Sequence, residues 1–323
     1  MRPQTLRRAA PAGGLVGALG SVIALSAPAP ALAQSDTAGT PIQIAVRDGS
    51  LRYGAAVDVR GRLASGQPGV PVALQYQPAG AAVWLELRAT ATRAGGAFRL
   101  RAPLRRSGAV RVVDATPHAF AAQDVVPAPT ASSEHAVRVA AALRTDHVRR
   151  NLTAGRTVRV QGELRPGGAG RSVALQLRRA GRWRTVDRDR TSAGGAYRLS
   201  ERLRSPGSSR ARLRFAGDGA NAPTKRGIGR VNAYRRAFAS AYGPGLFGNP
   251  LACGGTFTAA TVGVAHKTLP CGTRLMLRYH GRTVRARVVD RGPFVAGREF
   301  DLTWATKNRL HHPGMGVIQV AHR

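Results

Sequence analysis

One block of sequence occurs twice, about one hundred residues apart, and any fold for this chain must accommodate both copies. Val57-Asp58-Val59-Arg60-Gly61-Arg62-Leu63 shares its alternation with Val158-Arg159-Val160-Gln161-Gly162-Glu163-Leu164, and Val72-Ala73-Leu74-Gln75 recurs as Val173-Ala174-Leu175-Gln176. Trp84 matches Trp183, and Ala94-Gly95-Gly96-Ala97-Phe98-Arg99-Leu100 returns as Ala193-Gly194-Gly195-Ala196-Tyr197-Arg198-Leu199. In each copy, runs with a two-residue period alternate with glycine-rich turns, the pattern of an antiparallel sandwich with one buried and one wet face. Two β-sandwich domains of immunoglobulin-like topology are expected, over residues 41–126 and 135–232, with a linker at Pro127-Ala128-Pro129-Thr130-Ala131-Ser132-Ser133. A second boundary is expected near Asn232 to Arg236. Composition agrees: 323 residues with 39 Gly and 20 Pro are too many for one small core and too rich in turn formers for a mostly helical protein.

Trp84 and Trp183 are expected in the sandwich cores, the commoner place for one tryptophan at a matching strand position, with stacking on sugars as the alternative. Neither repeat carries paired carboxylates, a metal-ligand cluster or a phosphate loop, which leaves a spacer or adhesion role. Asn151-Leu152-Thr153 fits a weak glycosylation pattern. The formal net charge of +34 suits a polyanionic partner. A compositional origin competes with this, because the only lysines are Lys225, Lys267 and Lys307 and all other basic residues are arginine. Nucleic acid is not the expected partner, since stacking aromatics make up just 5% of the chain and do not interleave with basic clusters.

At the N-terminus, Arg2, Arg7 and Arg8 precede an apolar stretch from Leu15 to Leu25, too short to span a bilayer comfortably. With Ala31-Leu32-Ala33 as an A-x-A cleavage signature, residues 1–33 read as a secretory signal peptide. No cysteine lies at that junction, so a soluble exported protein rather than a lipoprotein is expected, and no later run reaches membrane-spanning length. In an oxidising compartment the two cysteines, Cys253 and Cys271, are expected to be bridged. Closing that loop would be worth on the order of 3 kcal/mol.

From Ala239 the motifs change in kind. Ser240-Ala241-Tyr242-Gly243-Pro244-Gly245 is followed by Ala252-Cys253-Gly254-Gly255 and by Gly263-Val264-Ala265-His266-Lys267-Thr268-Leu269-Pro270-Cys271-Gly272-Thr273. Val288-Val289-Asp290-Arg291-Gly292-Pro293-Phe294 and Gly297-Arg298-Glu299-Phe300-Asp301-Leu302 complete the series. In this order the motifs resemble the rare-lipoprotein-A family, in its secreted Gram-positive branch, over roughly residues 239–321. The resemblance implies a six-stranded double-psi β-barrel over residues 236–323, related to expansins, which in some members is a lytic transglycosylase acting on peptidoglycan. An all-β chain of two sandwiches followed by this barrel is thus the expected architecture.

The resemblance places Asp290 on an important acid and His266 on a second active-site position. Where active relatives carry Glu after Gly, this chain has Gly255. Asp301, in a Phe-Asp-Leu context like that of expansins, is the candidate replacement. Read from the residues alone, Val284, Ala286, Val288 and Asp290 alternate onto one face, which would give Asp290 the partly desolvated setting that favours a protonated general acid. Arg291 would project to the opposite face and is a candidate substrate contact. Plainer roles compete. Asp290 could accept the amides of the Arg291-Gly292 turn, His266 could be a hydrogen-bonded groove residue, and Asp301 could cap a helix from Leu302 to Leu310. Tyr242 and Phe294 would line a sugar subsite or pack the barrel mouth. His311-His312 lacks a third ligand at a useful spacing and reads as a solvated turn, so no metal and no cofactor is expected.

Two functions follow as expectations. Either the barrel cleaves glycan strands through Asp290 and His266, or it binds and loosens wall polysaccharide without cutting, which Gly255 favours. The expected partner is peptidoglycan or another anionic cell-wall polysaccharide, and the expected state is a monomer.

Overall fold

The structure, a computed structural model, describes residues 41–116 and 130–322. The expected signal peptide and the Pro127–Pro129 part of the linker lie outside the described residues. Eight described strands build the first sandwich: β1 (Ile42–Val46), β2 (Ser50–Arg52), β3 (Ala56–Leu63), β4 (Pro71–Pro78), β5 (Leu85–Ala91), β6 (Ala97–Pro103), β7 (Gly108–Asp114) and β8 (His135–Ala140). One sheet has the order β1-β3-β6 and the other β2-β8-β7-β4-β5. Strand alternation turns Val57, Val59, Val72, Leu74, Leu100 and Val112 into the core between them.

The second sandwich repeats this plan. It comprises β9 (Ala142–Thr145), β10 (Asn151–Thr153), β11 (Thr157–Arg165), β12 (Ser172–Arg179), β13 (Arg182–Arg190), β14 (Ala196–Arg202), β15 (Gly207–Phe215) and the first part of β16 (Thr224–Tyr242). Its sheets run β14-β11-β9 and β13-β12-β15-β16. β10 lies parallel to β16 as β2 lies parallel to β8.

Strands cross the junctions between domains. His135–Ala140, which the repeat boundaries give to the second module, pairs with β7 and β2 and completes the first sandwich; the second begins with β9, paired to β11. Likewise β16 pairs with β15 over Thr224–Ala233 and enters the barrel over Arg235–Tyr242, so residues 232–236 lie inside one unbroken strand. The sandwiches are also tied by Asn221, 1% exposed, whose Nδ2 donates to Arg105 O (2.9 Å) and Val139 O (3.1 Å) while its Oδ1 accepts from Arg171 Nη2 (2.9 Å). A buried amide with its polar atoms paired fixes one geometry.

Trp84 and Trp183 do not enter the cores. Each lies half-buried on the outer face, with Arg111 Cζ 4.2 Å from the Trp84 ring centre and Arg212 Cζ 4.0 Å from that of Trp183. Arg111 Nε donates to Gln75 Oε1 (3.0 Å) and Arg212 Nε to Gln176 Oε1 (2.8 Å), holding each guanidinium over its indole. The inward positions beside them, Val110 and Val112 or Ala211 and Leu213, already fill the core, and cation–π attraction gives the indole a place outside it.

The barrel adds β17 (Val264–His266), β18 (Arg274–Tyr279), β19 (Arg282–Asp290), β20 (Phe300–Thr303), helix α1 (Trp304–Leu310) and β21 (Gly316–His322). Strand order β16-β20-β17-β19-β18-β21 closes when β21 pairs back onto β16. Val264, Leu275, Leu277, Val288, Leu302 and Ile318 fill its interior. His280 and Gly281, at φ 41° and 87°, make the expected tight turn between β18 and β19. α1 begins at Trp304 rather than Leu302, and its N-cap is Thr303, whose side chain accepts from Thr306 N; Asp301 therefore does not cap it. His312 is buried against Tyr279 at 4.8 Å between ring centres rather than solvated. No described helix is long and apolar enough to cross a membrane.

Candidate functional site

Four strands of the barrel wall lie side by side as β16-β20-β17-β19, and their pairing sets one residue of each in a row. Ser240 is opposite Asp301, Asp301 opposite Ala265, and Ala265 opposite Asp290. Paired residues project to the same face, so two carboxyls flank the small methyl of Ala265. The neighbouring row, Ala241, Leu302, Val264 and Val288, packs the barrel interior.

A β-bulge delivers Asp290 to this row. The register passes from Val264 opposite Val288 to Ala265 opposite Asp290, leaving Val289 as the extra residue. Regular alternation would have turned Asp290 inward with Val288; the bulge turns it out to the groove. There Asp290 Oδ1 accepts the backbone N–H of Ala252 (2.9 Å) and of Arg291 (2.8 Å), so its negative charge is met by two amide donors. The turn role read from sequence is present, and the loop carrying Ala252 adds to it.

Asp301 has the opposite setting. Burial pushes its pKa above the ordinary carboxylate value and the Asp290 charge adds to this, against the opposing influence of Ser240 and Arg298. Its Oδ1, Ser240 Oγ and the Tyr242 hydroxyl are buried and close no hydrogen bond of good geometry, with Ser240 beside Asp301 and Tyr242 beside Asp290. Tyr242 is two residues on from Ser240 and shares its face, and its phenol is raised by burial and then by the charges of Asp290 and Asp301. The Tyr242 ring rests on Phe257, 4.6 Å between centres. Phe238, two residues before Ser240, offers an aromatic surface 38% exposed on the same face. Phe294 stands 82% exposed on the loop after β19.

His266 does not join the carboxylate row. As the neighbour of Ala265 it leaves the opposite face of β17, with Nδ1 accepting from Thr268 N (3.1 Å) and Leu269 N (3.0 Å). That assigns the ring proton to Nε2, which lies 3.7 Å from Glu299 Oε1. Burial lowers the pKa of His266 and keeps it neutral, against the pull of Glu299. Glu299 is itself paired with Arg235, which holds its carboxyl below the usual range. Arg291 is likewise committed inward, Nη1 donating to His266 O (3.2 Å) and Leu269 O (2.9 Å) and Nη2 lying 3.2 Å from Cys271 Sγ.

Cys253 and Cys271 are bonded, with Cα atoms 5.5 Å apart. The bridge joins the 251–255 turn, which supplies the Ala252 amide to Asp290, to the loop that Arg291 holds. Reduction is expected to lower thermal stability by roughly 3 kcal/mol; scanning calorimetry with and without reductant measures it. Gly255, in the same turn, sits at φ 83° with open space around it, a conformation that a glutamate side chain would strain.

Residues 237–322 match the family model described as lytic transglycolase, a double-psi β-barrel. This part of the chain is a rare-lipoprotein-A-type barrel. It is 39% identical over 94 residues to the probable endolytic peptidoglycan transglycosylase RlpA of Aquifex aeolicus, covering 28% of this chain and 42% of that protein. The endolytic peptidoglycan transglycosylase RlpA of Campylobacter jejuni is 38% identical over 84 residues (25% of this chain, 30% of that protein). That of Pseudomonas aeruginosa is 37% identical over 93 residues (28% and 27%). The chain thus spans less than half the length of these relatives. Among solved structures, a tetra-tandem repeat from the extending region of a large adhesion protein aligns with 82% of this chain and 66% of its own at TM-score 0.30 and 14% identity.

Sequence reasoning missed Glu299, Ser240 and Phe238 as members of the rare-lipoprotein-A-type barrel's surface. Ser240 and Phe238 share the two-residue phase of Tyr242 and could have been found from it. Glu299 needed its Arg235 partner, 64 positions earlier.

Proposed function

We propose that the protein is exported to the cell envelope and that its barrel cleaves peptidoglycan glycan strands by a lytic, non-hydrolytic route. The observation that carries this reading is the row itself: two carboxyls in unlike environments, with the buried polar atoms of Ser240, Tyr242 and Asp301 gathered where sugar hydroxyls would lie. Relatives of the barrel are named as peptidoglycan transglycosylases, which supports the substrate class.

Asp301, whose burial favours the protonated form, gives its proton to the leaving glycosidic oxygen as the bond to the anomeric carbon breaks. The same carboxylate then takes the proton of the muramic acid 6-hydroxyl as that oxygen closes onto the anomeric carbon. No water is consumed. Asp290, its Oδ1 held by two amides, stabilises the oxocarbenium character between the steps. His266, whose Nδ1 is already occupied, positions the groove wall rather than acting as base. The sandwiches serve as a spacer, and the signal read at residues 1–33 supplies export.

Mass spectrometry of peptide-free glycan strands incubated with the protein is expected to show 1,6-anhydro ends, and Asp290→Asn to lower their yield on the order of a hundredfold or more. Absence of anhydro ends with the unaltered protein would reject cleavage. Gly255, where the resemblance expects Glu, favours a second reading in which the groove binds and loosens wall polysaccharide; strand binding without anhydro ends is its expected result.

A further inference from the structure

The duplication provides an internal control. Features kept in both copies, such as the stacked Trp84–Arg111–Gln75 and Trp183–Arg212–Gln176 groups, belong to the sandwich fold. Features present in one copy need another cause. Arg156 and Arg159 of the second sandwich occupy the positions of Ala55 and Asp58 in the first, and Arg202 that of Pro103; the matching pairs Ala56 with Pro103 and Thr157 with Arg202 fix the equivalence. Together with Arg149 these three arginines rim a cleft of about 630 Å³. All four are exposed, and among the described residues none is ion-paired. One carboxylate, Asp146, lies on the lining.

The first copy also has arginines on this face, with one acid among them. Asp58 pairs with Arg99 and Arg101, which hold its carboxyl below the ordinary range. In the second copy that acid has become Arg159, and Arg101 has become Ser200. On the same strand Gln161 and Glu163 replace Arg60 and Arg62, so the second copy gathers its positive charge at Arg156, Arg159 and Arg202, beside the cleft, rather than along the strand.

We infer that this cleft is a binding site for a polymer bearing closely spaced phosphate or carboxylate groups. Guanidinium groups meet either oxyanion with paired N–H donors, and several around one cavity suit a chain of anions better than a single ion. The inference does not depend on the barrel's chemistry.

Fluorescence anisotropy with labelled linear polyphosphate and with polygalacturonate, across a salt series, tests it on the full chain. The double variant R156A/R159D restores what the first copy carries and is expected to weaken binding about tenfold or more, with a shallower salt dependence. R60A/R62D on the first sandwich changes the charge equally and is expected to alter binding less than about twofold. R156Q/R202Q serves where the first variant is poorly folded. Preference for one polymer assigns the anion. Equal loss in the cleft and control variants, or no binding by the unaltered protein, overturns the inference. Anhydro-end formation on peptide-free strands is expected to be the same in R156A/R159D as in the unaltered protein, which separates this site from the barrel.

Discussion

Asp301→Asn is expected to remove glycan cleavage while making the protein more stable at neutral pH. An asparagine has nearly the same shape but no proton to give, and loss of a general acid costs on the order of a hundredfold to ten-thousandfold in rate. The stability gain follows from the same burial. Burial raises the folded-state pKa of Asp301, so the folded chain holds a proton that the unfolded chain releases. At pH values below the unfolded pKa both states are protonated, and the variant and the parent melt alike. As pH rises through the folded pKa, the parent loses stability that the variant keeps. Melting temperatures from acid to neutral pH are therefore expected to diverge upward for Asp301→Asn. Coincident curves at all pH values, with cleavage intact, would place the acid elsewhere. A residue that costs stability and carries activity is what a functional carboxyl in a half-dry groove looks like.

The largest structural effect is expected at Gly162. A Cβ built there would lie 2.0 Å from Arg144 O and 2.7 Å from the Tyr197 hydroxyl, whose own bond to Arg144 O is 2.6 Å long. Because the nearest atom is backbone in the paired strand β9, relief requires moving a strand or expelling the tyrosine. Overpacking with loss of that hydrogen bond predicts about 3 kcal/mol for Gly162→Ala. Gly61→Ala, against Gln43 O at 2.4 Å and the Phe98 ring, is expected to be milder because Phe98 has no hydroxyl bond to lose. Gly194→Ala, with nothing within 4 Å, is the control and is expected to fall within about half a kcal/mol of the parent. Thermal scans of the three variants rank them; an unchanged Gly162→Ala would mean that the tyrosine is free to leave.

The fold was legible because repetition and alternation are properties of contiguous residues. The structure pairs the repeated motifs alike in both copies, Gly61 opposite Phe98 and Gly162 opposite Tyr197. Alternation failed where geometry is set by partners distant in sequence. The phase of Asp290 depends on a bulge against β17, and nothing in Val288-Val289-Asp290 marks the extra residue. The tryptophans were read as core because the arginine and glutamine that hold them outside come from other strands. Asp301 looked like a cap because it precedes a helix, yet β20 continues to Thr303, whose hydroxyl takes that role. The desolvated setting was therefore expected at Asp290 by periodicity, whereas pairing and burial give it to Asp301.

The unbroken run of β16 has a mechanical consequence. Its first half is sewn into one sheet by β15, with a single bulge at Ile228, and its second into the barrel by β20 and β21. A pull between sandwich and barrel directed along this strand loads those hydrogen bonds in shear, many sharing the force at once, whereas a flexible tether would first uncoil.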